Sequence, residues 1–265
     1  MKVAVAGKGG VGKTTIAGTL ARLLGRDGLR ILAVDADPSY TLWSAIGIPR
    51  KVADTIVPLT ENKKLIEERL QVEGAGPVST GFFKLNPIVD DLAGKFAIAG
   101  PDNVYLLVAG TVDTGGQGCM CPSATLLKTL MRYLVIGTDE AFVMDMDAGV
   151  ENLGRGTTRG MDALVVVAEP GMRSLDVLGK IKNLAADIGV GTVFAVGNKV
   201  ATPEDADMIR KHVEKLGIPL LGLVPMDASI READRKGLAP IDLDASSPGM
   251  REITEIKTQL KELVA

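Results

Sequence analysis

Seven runs of Val, Ile, Leu and Ala recur along the chain with little polar alternation: Val3–Ala6, Ile31–Val34, Val104–Val108, Ala141–Met144, Ala163–Val167, Val193–Val196 and Leu220–Val224. Strands that read as continuous apolar runs are those buried on both faces, as in a parallel sheet. Between them lie stretches with helical spacing: Thr14–Leu24, Ser123–Val135, Ser174–Ile188, Pro203–Leu216 and Pro248–Leu263. This alternation predicts an α/β fold, a mostly parallel, doubly wound sheet with helices on both faces. The interval 49–103 is less regular. Gly74–Gly76, Pro77 and Asn86-Pro87 break it, and it reads as an insertion packed on one domain spanning 1–265. The chain shows no internal repeat, low-complexity tract or interdomain linker. Its apolar start runs into a glycine-rich loop without a cleavable signal pattern, and no uncharged run is long enough to span a bilayer. The expected location is therefore cytoplasmic and reducing, with no stable membrane insertion.

Composition narrows the chemistry. The 265 residues are 46% hydrophobic and 24% charged, too apolar and too mixed in sign for a disordered chain. Thirty basic residues against 33 acidic ones leave a formal charge of −3, which removes the sequence-independent attraction that general DNA binders use. There are two cysteines, Cys119 and Cys121, and one histidine, His212. Two cysteines one residue apart make no disulfide scaffold. With one histidine they do not fill a tetrahedral zinc site within one chain unless carboxylates join. His212 lies between Lys211 and Val213 on a predicted surface helix and is not read as a ligand.

The segment Gly7-Lys8-Gly9-Gly10-Val11-Gly12-Lys13-Thr14 fits G-x-x-x-x-G-K-[ST] completely, between a predicted strand and a predicted helix. Glycines let the backbone wrap phosphates with N–H groups pointing inward, and the following helix adds its dipole. Gly9, Gly10, Val11, Gly12, Lys13, Thr14 and Thr15 are the expected nucleotide contacts. Lys13 bridges the β- and γ-phosphates in such loops, and the Thr14 hydroxyl ligates Mg²⁺. Two strand ends carry carboxylates, Asp35-Ala36-Asp37-Pro38 and Asp145-Met146-Asp147-Ala148-Gly149. The carboxyl ends of strands are where α/β folds bind ligands. Asp145 is the expected Walker B carboxylate, holding Mg²⁺ through water.

The early lysine Lys8, with Gly9–Thr15, resembles the deviant Walker A loop of the MinD/ParA/nitrogenase iron protein class. In that class the signature lysine reaches phosphates bound by the opposite subunit, so the resemblance implies a nucleotide-dependent homodimer binding ATP and ADP with Mg²⁺. It further implies that Lys8, Lys13 and Asp37 are catalytic. Asp37 would be the switch I aspartate that orients or activates the attacking water. Asp35 would lie near the magnesium shell, and the Gly149 N–H would sense the γ-phosphate. Phe194–Lys199 ends a strand where relatives recognise the base, which points to Asn198 and Lys199. A guanine-reading N-K-x-D motif needs an aspartate at position 201, and Ala201 stands there, so ATP is expected over GTP. Pro225-Met226-Asp227 resembles the loop that packs on adenine, and Pro225 and Asp227 are expected contacts.

Cys119-Met120-Cys121 follows a glycine-rich lead and precedes Pro122 and a helix starting near Ser123. A helix N-terminus stabilises thiolates and makes them better metal ligands. One C-x-C supplies two soft ligands; a two-fold dimer would supply four, enough for zinc or nickel. Together with the deviant loop, Asp145–Gly149, Glu151–Gly156 and Glu169–Leu175, this C-x-C resembles the CooC/AcsF nickel-insertion ATPases along essentially the whole chain. The resemblance implies ATP-dependent nickel delivery to carbon monoxide dehydrogenase or acetyl-CoA synthase, with Ni²⁺ or Zn²⁺ held across a dimer. The chain departs from some relatives at Asp147, where they carry Glu or Gly. Three other readings compete. A MinD-like membrane ATPase would use the C-terminal stripe Met250, Ile253, Ile256, Leu260 and Leu263, yet Arg251, Lys257 and Lys261 are matched there by acidic residues, so packing on the sheet is expected instead. An iron–sulfur reductase would place a cysteine beyond Asp145, and none follows it. A DNA-partitioning ATPase would need a basic stripe; patches such as Lys63-Lys64 and Arg235-Lys236 read as solvated helix ends.

Overall fold

Eight strands form one sheet in the order β3-β4-β2-β5-β1-β6-β7-β8. The computed structural model describes residues 1–62, 64, 96–110, 137–146, 160–188, 190 and 192–264. The strands are β1 Lys2–Gly7, β2 Arg30–Ala36, β3 Ile98–Ala99, β4 Val104–Val108, β5 Glu140–Met146, β6 Ala163–Ala168, β7 Thr192–Val200 and β8 Leu220–Pro225. Every predicted run is a strand, and all neighbouring pairs but one are parallel. The exception is the two-residue β3, antiparallel on β4 and too short to leave a periodic signal.

The described helices are α1 Lys13–Arg26, α2 Leu42–Ile46, α3 Arg50–Ala53, α4 Met172–Ile188, α5 Pro203–Leu216, α6 Ala228–Lys236, α7 Pro240–Leu243 and α8 Pro248–Val264, with a 3₁₀ turn over Leu59–Glu61. Side chains alternate across each strand, so one strand feeds two cores. Val3 and Val5 of β1 pack with Ile16 and Leu20 of α1 and with Ile253 and Ile256 of α8. Ala4 and Ala6 face the other layer with Phe142, Met144, Leu175, Leu178 and Ile209. The predicted helix over Ser123–Val135 lies outside the described residues. So does most of the interval 49–103, whose described ends seat Leu59 in one core and pack Ile98 against the other.

The C-terminal stripe packs on the sheet at four of its five positions, while Leu263, at the end of α8, is exposed. Met250, Ile253, Ile256 and Leu260 are buried. Gly222 of β8 leaves room for them, since a Cβ there would lie 2.7 Å from Ile256 Cγ1. Lys257 and Lys261, on the polar side, both bind Asp27 just past α1, at 2.9 and 2.8 Å. Arg235 and Lys236 pair with Glu232 of their own helix. Among the described residues no helix is long and apolar enough to cross a membrane.

A buried arginine ties distant segments behind α1. Arg22 donates to Asp102 before β4, to Asp242 of α7 and to the Ile46 carbonyl at the end of α2. Gly47, with φ +90°, closes α2 where a Cβ would meet Asp242 and Arg22 within 3 Å. Trp43 lies in α2 against the core, with the Arg50 guanidinium 5.5 Å from its ring.

Candidate functional site: a phosphate loop over two buried carboxylates

The chain leaves β1 at Gly7 and enters α1 at Lys13, at the carboxyl edge of the sheet where the strand order turns about β1. Gly7 has φ +147°, and a Cβ there would sit 2.3 Å from the Val167 carbonyl of β6. Gly12 has φ +95° and precedes α1 with no side-chain cap and no acidic residue in the first turn. The first N–H groups of α1 and its dipole are therefore left for an anion in front of it. Lys13 is buried and folds back over the loop, its Nζ 3.5 Å from the Lys8 carbonyl.

Behind this loop the sheet register aligns Asp35 of β2 with Asp145 of β5. Both are fully buried. Asp35 accepts the Asp37 N–H at 3.1 Å on Oδ1 and the Leu42 N–H at 2.9 Å on Oδ2. One carboxylate thus clamps both ends of the turn that carries Asp37. Burial pushes the Asp35 carboxyl up to about 6 against the pull of those two N–H groups. Among the described residues neither oxygen of Asp145 has a hydrogen-bond partner. Burial raises its carboxyl to about 7; the negative Asp35 and Asp37 add to this, while the Thr14 hydroxyl and the Lys13 ammonium oppose it without completing a hydrogen bond. An orphaned, oxygen-only donor beside a threonine hydroxyl suits a hard divalent cation that keeps its waters.

Asp37 is half-buried at the rim and accepts from the N–H and Oγ of Ser39 at 2.9 and 2.5 Å. Tyr40 follows in the left-handed region, φ +46°. Lys8 is half-buried.

A cleft of about 890 Å³ opens over the loop. Gly9, Gly10, Gly12, Lys13, Thr14, Thr15 and Asp37 line one part, and Asn198, Lys199, Pro225 and Asp227 another, so residues almost two hundred positions apart share one cavity. Val11 is fully buried beneath the loop, and Asp35 and Asp145 are fully buried and do not line the cleft. Asn198 donates to the Val11 carbonyl at 2.8 Å. The Asp227 carboxylate is taken up within the protein: it accepts the N–H groups of Ser229, Ile230 and Gly249, joining α6 to α8, and against the upward push of burial the Ser247 hydroxyl and these N–H groups hold it below the usual carboxylate range. Cys119, Cys121, Asp147 and Gly149 lie outside the described residues.

Part of the wall was not read from the sequence. Ile230, Arg231 and Asp234 of α6, with Leu238 and Pro240, line the cleft beside Met226. The signal was available: Asp227 is an N-cap bonded to Ser229 and Ile230, and Gly237 closes the helix at φ +64°.

The sequence matches the CobQ/CobB/MinD/ParA nucleotide binding domain over residues 2–241. It is 42% identical, over 95% of its length and 92% of the relative's, to the carbon monoxide dehydrogenase accessory protein CooC of Rhodospirillum rubrum. It is also 42% identical to an uncharacterized ATP-binding protein of Methanocaldococcus jannaschii, over 97% of this chain and 96% of that one. The fold superposes on the septum site-determining protein MinD of Pyrococcus horikoshii, in complex with Mg-ADP, with a TM-score of 0.71 and 20% identity, covering 100% of this chain and 98% of that one. With the phosphate loop and the clamped Asp37 lining one cleft, the chain belongs to the CobQ/CobB/MinD/ParA nucleotide-binding family and is an ATPase.

Proposed function

We propose that this ATPase is a maturation factor that dimerises with nucleotide and metal and assists nickel insertion into carbon monoxide dehydrogenase or acetyl-CoA synthase. The observation that carries the reading is the 42% identity to CooC across nearly the whole length of both chains. The C-x-C pair Cys119 and Cys121 supports it, because these are the only thiols in the chain. Nickel is here the cargo. Burial of Met250, Ile253, Ile256 and Leu260 in α8 weighs against a MinD-like membrane helix.

In this reading the N–H groups of Gly9–Thr15 hold the phosphates and Lys13 neutralises their charge. Thr14 and, through water, Asp145 would hold Mg²⁺, which shields the charge that develops on the β- and γ-phosphate oxygens. Asp37 orients the attacking water, and Asp35 fixes Asp37 by clamping its turn. Lys8 serves the partner subunit's nucleotide. Pro225, Met226 and the face of α6 enclose adenine, with Asn198 and Lys199 beside them. Two C-x-C pairs meet across the dimer axis in the ATP state; hydrolysis separates them and releases the cargo. The switch turns are the element that couples nucleotide to metal. Nickel titration of the wild type and of C119S/C121S, with light scattering in ADP or ATP with and without Ni²⁺ or Zn²⁺, tests this. The expected result is one metal per nucleotide-dependent dimer, lost in the variant. Unchanged nickel affinity in the variant, or a monomer under every condition, would refute it.

A further inference from the structure

Two consecutive side chains at the end of β7 are spent on the backbone of the phosphate loop. Asn198 donates from Nδ2 to the Val11 carbonyl at 2.8 Å, and Lys199 donates from Nζ to the Gly10 carbonyl. In a trans peptide the C=O and the next N–H point in opposite directions. Drawing the Gly10 and Val11 carbonyls toward β7 therefore turns the Val11 and Gly12 N–H groups to the inside of the loop. There the Val11 N–H meets the Lys8 carbonyl at a long 3.4 Å, a bond that an anion replaces at little cost.

Lys199 is itself held in place. Its Nζ lies 3.4 Å from Glu169 Oε2, at the end of the neighbouring strand β6. Its backbone sits at φ +59°, a conformation a residue other than glycine keeps only where its surroundings hold it. On the facing side Gly12 has no room for a side chain, since a Cβ would fall 2.3 Å from Asn198 Nδ2. Loop, β7 and β6 thus form one braced unit.

We infer that Lys199, braced by Glu169, is a positioning residue for phosphate binding: it aims the N–H groups of the loop through the Gly10 carbonyl, a duty distinct from reading the base. The inference rests on nucleotide binding alone and stands or falls independently of nickel. Its test is calorimetric titration of ADP and of inorganic pyrophosphate, which has no base. K199M loses roughly tenfold for both, the size of one charge-assisted hydrogen bond, and K199R recovers most of it. E169A loses about threefold for both, as a half-exposed ion pair allows. The E169A variant is decisive because it removes a negative charge near the phosphates. A purely Coulombic role for Lys199 tightens pyrophosphate in E169A, and that result overturns the inference. So does K199M weakening ADP while leaving pyrophosphate unchanged, which would make Lys199 a base reader. Melting temperatures of the three variants, expected within about 2 °C of wild type as for surface substitutions, exclude loss of fold as the cause.

Discussion

Replacing Asp145 with Asn should stabilise the nucleotide-free protein while abolishing its ATPase activity. Asp145 is fully buried, and neither oxygen has a partner among the described residues. Its carboxyl is pushed from 3.8 to about 7. The folded state therefore holds this proton more tightly than the unfolded chain does. That contribution to stability is complete below about pH 4 and is lost as pH rises to about 7. At 1.36 kcal/mol per pH unit the loss is about 4 kcal/mol, in the range measured for uncompensated buried charges. Asparagine has nearly the same shape and no charge to bury. In thermal unfolding at pH 8 without nucleotide, Asp145→Asn should melt roughly 6–15 °C above wild type. At pH 5 its advantage should shrink to about 1–2 kcal/mol, because the wild-type carboxyl is then protonated when folded. Mg²⁺-dependent hydrolysis should fall by at least about a hundredfold, as for loss of a group that stabilises charge at the phosphates. A variant that melts at or below wild type at pH 8, or a gap that does not vary with pH, would refute the idea that this carboxylate waits unpaired for a cation.

Three further outcomes are expected. Gly12→Ala, whose Cβ would lie 2.3 Å from Asn198 Nδ2 at φ +95°, should cost about 1–3 kcal/mol in denaturant unfolding and weaken ADP in titration by at least an order of magnitude. The double substitution Asp102→Asn/Asp242→Asn should cost about 3–5 kcal/mol, more than Arg22→Met, because it strands a buried guanidinium whereas Arg22→Met strands only partly exposed carboxylates; chemical denaturation of both variants measures the difference. Lys8→Ala should bind ADP within about threefold of wild type, as for a half-buried charge acting at a distance, yet lose ATP-dependent dimerisation in light scattering.

Features whose cause is local are legible in the order of the amino acids. Runs such as Ala163–Val167 are β-branched and apolar enough that only a two-sided burial accommodates them, so the parallel sheet was legible residue by residue. The phosphate loop was legible because glycine, lysine and threonine at fixed offsets do their chemistry with neighbours in the chain. The helix over Ala228–Lys236 was not anticipated, because its nine residues bury only Ala233 and carry almost no apolar stripe, although its caps were in view. The two-residue β3 had no pattern to read.

Features that depend on strand order emerge with the assembled sheet. Asp35 and Asp145 are 110 positions apart, and sheet register alone places them side by side, so their shared burial and raised protonation were invisible in either segment. Arg22 was one more arginine on a helix until Asp102, Asp242 and the Ile46 carbonyl closed around it. Asn198 and Lys199 read as a base-facing strand end; the adjacency of β7, β6 and the loop gave their side chains two backbone carbonyls to hold. A hydrogen bond or a desolvated charge is a property of a pair or an environment, and the chain forms these only when non-local contacts are made.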